Sequence, residues 1–82
     1  MKALEEVRAL EDHPKSLQEC VDILLDLQRN SGKVAEIITI LKYEKPLLHS
    51  RLKKRLSSNP GIFLLMDLSI GYEQAKESLK LT

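Results

Sequence analysis

The sequence predicts an all-α fold, a compact bundle of about five short helices. Apolar residues recur at helical spacing along most of the chain, and glycine and proline number only three each. Leu, Glu and Lys, which favour helix over sheet, are common. The 82 residues suffice for one hydrophobic core, so we expect residues 1–82 to form a single helical domain. Its abrupt ends suggest a domain excised from a longer protein.

The first two helices are predicted on either side of Pro14. The first should end near Asp12-His13, because proline disfavours α geometry in the residue before it. Ser16, with Glu19 three residues later, matches a capping box, and an earlier start with Pro14 in the first turn is the alternative. The second helix carries a broad apolar stripe, which predicts a central and buried position. The stripe consists of Leu17, Cys20, Val21, Ile23, Leu24, Leu25 and Leu27.

Three more helices are predicted in the second half of the chain. The third runs near residues 33–44, and Pro46 occupies the first turn of the fourth. Asn59 is a candidate N-cap followed by Pro60 at the first helical position, which predicts a fifth helix from about residue 61 to 79. The inner face of the fourth helix repeats every four residues, at Leu48, Leu52 and Leu56.

Charge is distributed unevenly, although the net charge is only +1. Residues 1–30 sum to −3, residues 31–55 to +5 and residues 56–82 to −1. The positive block contains Lys42, Lys45, Arg51, Lys53, Lys54 and Arg55. A solvated helix face is the simplest interpretation. Two other interpretations are binding roles: contact with a phosphate or anionic surface, and contact with an acidic protein. Tyr43 is the one aromatic residue near the block.

The predicted fifth helix begins with residues 62–66, a run that is apolar on every side. Such a helix must be buried in its own core or against something else. Phe63 is the only Phe in the chain and lies beside the loop at residues 57–61, a position that suits a binding hot spot. Gly71 is expected to mark a break or a close helix crossing. The candidate partner-binding residues are Ile62, Phe63, Leu64, Met66, Lys53, Lys54 and Arg55.

The sequence contains no pattern typical of catalysis. His13 and His49 are too far apart for a metal-binding motif, and Cys20 lies on an apolar stripe where a thiol acts as a small hydrophobe. The three glycines match no phosphate-binding loop. We therefore expect no enzyme activity, no catalytic residue, no metal and no cofactor. The longest apolar run is too short to span a membrane, and the single cysteine favours a cytosolic or nuclear location.

Two segments resemble known adaptor modules. Residues 17–27, Leu-Gln-Glu-Cys-Val-Asp-Ile-Leu-Leu-Asp-Leu, and residues 37–42, Ile-Ile-Thr-Ile-Leu-Lys, resemble the helical domain of transcription-elongation factors and of the chromatin-tethering integrase-binding domain. Members of that family bind short disordered acidic-hydrophobic motifs. The chain also resembles the harmonin-homology domain, a five-helix module that takes a partner helix or peptide in a groove. The resemblance implies peptide binding as the activity and identifies no individual binding residue.

Three functions follow as hypotheses. The first is a non-catalytic interaction module that binds a short linear motif or partner helix in an apolar groove flanked by basic residues. Its motif would carry an aromatic or Leu anchor beside Asp or Glu. The second is nucleic-acid or anionic-surface binding through residues 42–55. The third is homo-oligomerisation, in which the last helix buries residues 62–68 against a second copy.

Overall fold

Six α-helices account for most of the structure, a computed structural model that describes residues 2–30, 33–67 and 70–80. Of these residues 85% are helical and none forms a strand, which confirms the all-α fold. The helices are α1 (Lys2–Ala9), α2 (Leu17–Asn30), α3 (Val34–Glu44), α4 (Pro46–Arg55), α5 (Pro60–Phe63) and α6 (Tyr72–Ser78). Turns of 3₁₀ helix occupy Pro14–Ser16, Leu56–Ser58 and Leu64–Asp67.

The connection between α1 and α2 differs from the expected capping box. Helix α1 ends at Ala9, three residues before the predicted end. The chain then enters α2 through the 3₁₀ turn at residues 14–16, and His13 caps that turn: its Nδ1 atom accepts a hydrogen bond from the Lys15 N–H at 3.0 Å. Pro14 thus begins a 3₁₀ turn, as in the alternative of an earlier start, but the α-helix itself begins at Leu17, directly after Ser16. The cap at this point is an imidazole and not the predicted hydroxyl of Ser16.

The start of α4 is capped from a distant part of the chain. Pro46 lies in the first turn as predicted, but the preceding residue, Lys45, offers no side-chain cap. The carboxylate of Asp12 instead accepts a hydrogen bond from the Leu48 N–H at 2.7 Å. This bond satisfies a backbone donor that has no partner within the helix. It also fastens the connection after α1 to the beginning of α4.

The predicted continuous helix over residues 61–79 is wrong, because the chain breaks between α5 and α6. Its predicted beginning is confirmed: Pro60 is the first helical residue, and the Asn59 side chain accepts a hydrogen bond from the Ile62 N–H at 3.4 Å. Helix α6 begins anew after Gly71, which has extended backbone geometry and is the N-cap. Residues 60–67 remain helical, as α5 and the 3₁₀ turn that follows it, so the apolar run itself is not broken. The break lets α6 turn back and pack on α3.

The buried apolar side chains form one cluster around α3. Helix α3, and not α2 as predicted, is the central element, since residues 37–41 are all buried and α3 packs against α1, α2, α4 and α6. Thr39 is the one polar residue in that stretch, and its hydroxyl donates to the Ala35 carbonyl at 2.9 Å. The radius of gyration is 11.4 Å, against roughly 12 Å expected for a folded domain of this length. The helices therefore close around a shared core.

Candidate partner-binding groove

An open depression of about 540 Å³ lies between the outer face of α4 and the end of α5. It is lined by Ser50, Lys53, Lys54, Ser57 and Phe63. Positions 50, 53, 54 and 57 follow helical spacing, so they share one face of α4 and of the 3₁₀ turn that continues it. The leucines of α4 point to the core from another face. We call this depression the α4–α5 groove; its apolar wall is Phe63 and its basic wall is α4.

Phe63 is held in the groove by the residues around it. The Asn59 cap fixes the start of α5, and the neighbouring Ile62 is 0% exposed while Met66 is 2% exposed. These two side chains anchor α5 and the following 3₁₀ turn to the core. Phe63 itself is half-buried, with part of its ring available in the groove. Ile62 and Met66, which the sequence suggested as partner contacts, are therefore core residues and not part of the accessible surface.

Leu64 follows Phe63 in the chain but does not line the α4–α5 groove. Its side chain is 71% exposed, which makes it the most exposed large apolar residue in the described part of the chain. Single exposed leucines are common on proteins. Leu64 is apolar surface that a partner can reach, outside the lining of the groove. Two of the four predicted apolar contacts, Phe63 and Leu64, are thus accessible.

The three basic residues predicted to flank the groove have different environments. Lys53 forms an ion pair with Asp67, with 2.7 Å between Nζ and Oδ1. Lys54 is exposed on the groove wall, and no ion pair within the described residues involves it. Arg55 turns away and donates a hydrogen bond to the Gln18 side chain on α2. Lys53 and Lys54 therefore belong to the groove, whereas Arg55 joins α4 to α2.

His49 lies one turn before Lys53 on α4 and is half-buried. Its Nε2 atom is buried, and within the described part of the chain no hydrogen-bond partner is in reach of it. Burial lowers the pKa of His49, the positive charges of Lys42 and Lys53 lower it further, and Asp67 opposes them. A neutral imidazole is consequently the favoured form, and the basic wall gains no extra charge from it at neutral pH.

We expect the stability of the protein to decrease as the pH falls below about 6.5, the ordinary pKa of histidine. Because the pKa of His49 is lowered in the folded state, the unfolded chain takes up a proton first, and protonation favours unfolding. Urea denaturation between about pH 8 and pH 5.5 measures this effect. His49→Gln should flatten the dependence in that range. An unchanged dependence in this variant would show that another group is responsible.

Comparison with protein-family models, with curated proteins and with solved structures finds no match for this chain. The groove is therefore interpreted from its own chemistry. The resemblance to adaptor modules stays a prediction from residues 17–27 and 37–42. No helix in the part of the chain that the structure describes has the length and apolar character needed to cross a membrane.

The remaining residues of the predicted nucleic-acid surface surround the junction of α3 and α4. Lys42 and Arg51 are exposed and Lys45 is half-buried. Beside them, Tyr43 is 57% exposed and stacks on Tyr72, with 4.9 Å between the ring centroids. The sequence offered only one aromatic residue near the basic block. The second arrives from α6, so no local sequence signal could have revealed the pair.

Glu44 is the centre of a surface network that sequence reasoning missed. It accepts two hydrogen bonds from the Arg8 guanidinium, at 2.7 and 3.1 Å, and one from the Tyr72 hydroxyl at 2.7 Å. The hydrogen bonds from Arg8 hold the pKa of Glu44 below its usual range, with a smaller contribution from Tyr72. Lys76 lies 4.7 Å above the Tyr72 ring. The network joins α1, α3 and α6, and its charged groups are already partnered with one another.

Cys20 and His13 each have a structural role. Cys20 is 0% exposed in the core, and burial raises the pKa of its thiol to about 12, so the thiolate needed for nucleophilic attack is disfavoured at neutral pH. His13 caps a turn, as described above. Among the described residues, no three side chains of His, Cys, Asp or Glu come together to form a candidate metal site.

Proposed function

We propose that this chain is a non-catalytic interaction module that binds a short linear motif in the α4–α5 groove. The motif carries a Leu or aromatic anchor with a neighbouring Asp or Glu. The proposal rests on one observation: an apolar side chain, Phe63, lines the same groove as the basic residues Lys53 and Lys54. An apolar contact gives affinity, and charge complementarity gives orientation and selectivity.

The shape of the groove suits a peptide better than a small metabolite. The depression is open to solvent along α4. Leu64, the residue after Phe63, is also exposed, although it does not line the groove. A peptide that lies along α4 can place its anchor beside Phe63 and a carboxylate near Lys54. Ser50 and Ser57 add hydroxyl groups that can bind the peptide backbone. The resemblance of residues 17–27 and 37–42 to adaptor domains favours the same class of partner, in the cytosol or the nucleus.

Phe63→Ala should weaken binding of such a peptide by more than about 1 kcal/mol, roughly fivefold or more in Kd. The probe is an array of short peptides with one Leu or Phe anchor and either Glu or Gln at each following position. The tightest peptide is then measured by fluorescence anisotropy. Leu47→Ala is the matched control, since Leu47 is 63% exposed and does not line the groove.

A second variant separates binding from folding. Lys54→Ala removes an exposed charge, so it should keep the denaturation midpoint but reduce affinity for peptides with Glu and not for those with Gln. The proposal fails if no peptide of the array binds. It also fails if Phe63→Ala unfolds the protein and Lys54→Ala leaves binding of the Glu peptides unchanged, because Phe63 is then a core residue only.

Nucleic-acid binding through residues 42–55 is the second candidate, favoured by the stacked Tyr43 and Tyr72 beside Lys42 and Lys45. Stacking rings and nearby cations are the features of single-strand binding sites. Titration with short DNA and RNA at two salt concentrations tests it, because phosphate contacts weaken steeply with salt. Absence of binding at low salt would exclude this function.

Homo-oligomerisation through residues 62–68 would find two of its described apolar residues already in the core. Ile62 and Met66 are already buried within the chain, and Leu68 lies outside the described residues. Among residues 62–67, which the structure describes, Leu64 is the one large apolar side chain that is exposed. Sedimentation over a range of concentrations would detect such an oligomer, and Leu64→Ala should dissociate it if it forms there.

A further inference from the structure

The segment after Phe63 places a carboxylate against the basic wall of the groove. Asp67 lies four residues beyond Phe63, and its Oδ1 atom is 2.7 Å from the Lys53 Nζ atom. Phe63 faces Lys53 across the same groove. The protein therefore presents to its own α4 helix an aromatic ring followed by a carboxylate. With Lys53, Asp67 makes the kind of contact that the proposed function assigns to an acidic residue of the partner motif.

We propose that Asp67 is an internal competitor for the α4–α5 groove, so that a partner carboxylate contacts Lys53 only by displacing it. This inference rests on the proposed function and specifies how the groove selects its motif. Lys54 is accessible without displacement, so it takes the first carboxylate of a motif. A second carboxylate has to replace Asp67 at Lys53. The groove in its native form thus discriminates between motifs with one acidic residue and motifs with two.

The ion pair between Lys53 and Asp67 is of the exposed kind, which is weak enough for a partner carboxylate to displace. Both side chains are partly exposed, so water and salt screen their attraction. Exposed ion pairs stabilise proteins only weakly. The loss of one typically changes the equilibrium constant for folding or binding by a factor of about two to five. A peptide carboxylate can therefore exchange with Asp67 at small cost. Removal of Asp67 should improve binding by a factor in the same range.

The test compares the native chain with Asp67→Asn, Lys53→Met and the double variant. The probes are three forms of the tightest peptide from the array, with two Glu, with one Glu, and with Gln at both positions. Asp67→Asn should increase affinity for the form with two Glu by about two- to fivefold and leave the Gln form unchanged. In the Lys53→Met background this gain should disappear, since the shared cation is absent. Asp26→Asn removes the same charge at an exposed position of α2, so this variant controls for long-range electrostatic effects.

The outcomes distinguish this inference from the proposed function. If the native chain binds the peptides but Asp67→Asn does not improve affinity for the form with two Glu, the competition is overturned and the proposed function stands. If Asp67→Asn weakens all three peptides equally, Asp67 orders the groove and does not compete for it. If Asp26→Asn gives the same gain, the effect is one of net charge. If no form binds any variant, both proposals fail.

Discussion

Ile62→Ala is expected to lower the free energy of unfolding by about 2–5 kcal/mol, the usual cost of truncating a fully buried aliphatic side chain. Ile62 is 0% exposed and fastens α5 to the core. The substitution removes buried methyl groups and leaves a cavity, because the closely packed neighbouring side chains relax only partly into the space. Urea denaturation followed by far-ultraviolet circular dichroism measures the change.

Leu64→Ala provides the matched control for that prediction. Leu64 lies two residues further along the same apolar run but is 71% exposed. Its truncation should change the free energy of unfolding by no more than about 0.5 kcal/mol, as is usual for surface positions. Equal losses in the two variants would mean that both side chains are buried alike. In that case the apolar wall of the groove would be part of the core.

Asp12→Ala is expected to destabilise the fold by about 1–2 kcal/mol, the upper part of the range for a lost helix cap. The substitution leaves the Leu48 N–H at the start of α4 without its acceptor, and it also releases the connection after α1. Thermal and urea denaturation both measure the loss.

Asp12→Asn separates the hydrogen bond from the charge, because the amide oxygen of Asn can still accept from the Leu48 N–H. This variant should retain most of the stability of the native chain. If Asp12→Ala proves as stable as the native protein, water replaces the cap and the 2.7 Å bond contributes nothing. Since α4 forms the basic wall of the groove, loss of this cap should also weaken peptide binding.

The residues of the proposed site were predictable from the sequence, but their exposure was decided by the packing of the helices. The sequence places Lys53 and Lys54 on α4 and Phe63 after a strong helix start, so the components were predictable. Which side chains of residues 62–66 are exposed was not predictable, because an apolar run has no polar face to orient it. The packing of α5 decided that Ile62 and Met66 enter the core while Leu64 remains outside.

Local signals in the sequence determined the all-α fold, the helix start at Pro46 and the Asn59 cap with Pro60. Each of these depends on residues within about one helical turn of each other, where spacing alone fixes the geometry. The break before α6 lies at Gly71, where the sequence had offered a break or a close helix crossing. Only the tertiary structure decided the central position of α3 and the capping of α4 by Asp12. It also decided the stacking of Tyr43 on Tyr72, which joins residues 29 positions apart. Such contacts form when helices pack together, and single-helix periodicity contains no information about which helices become neighbours.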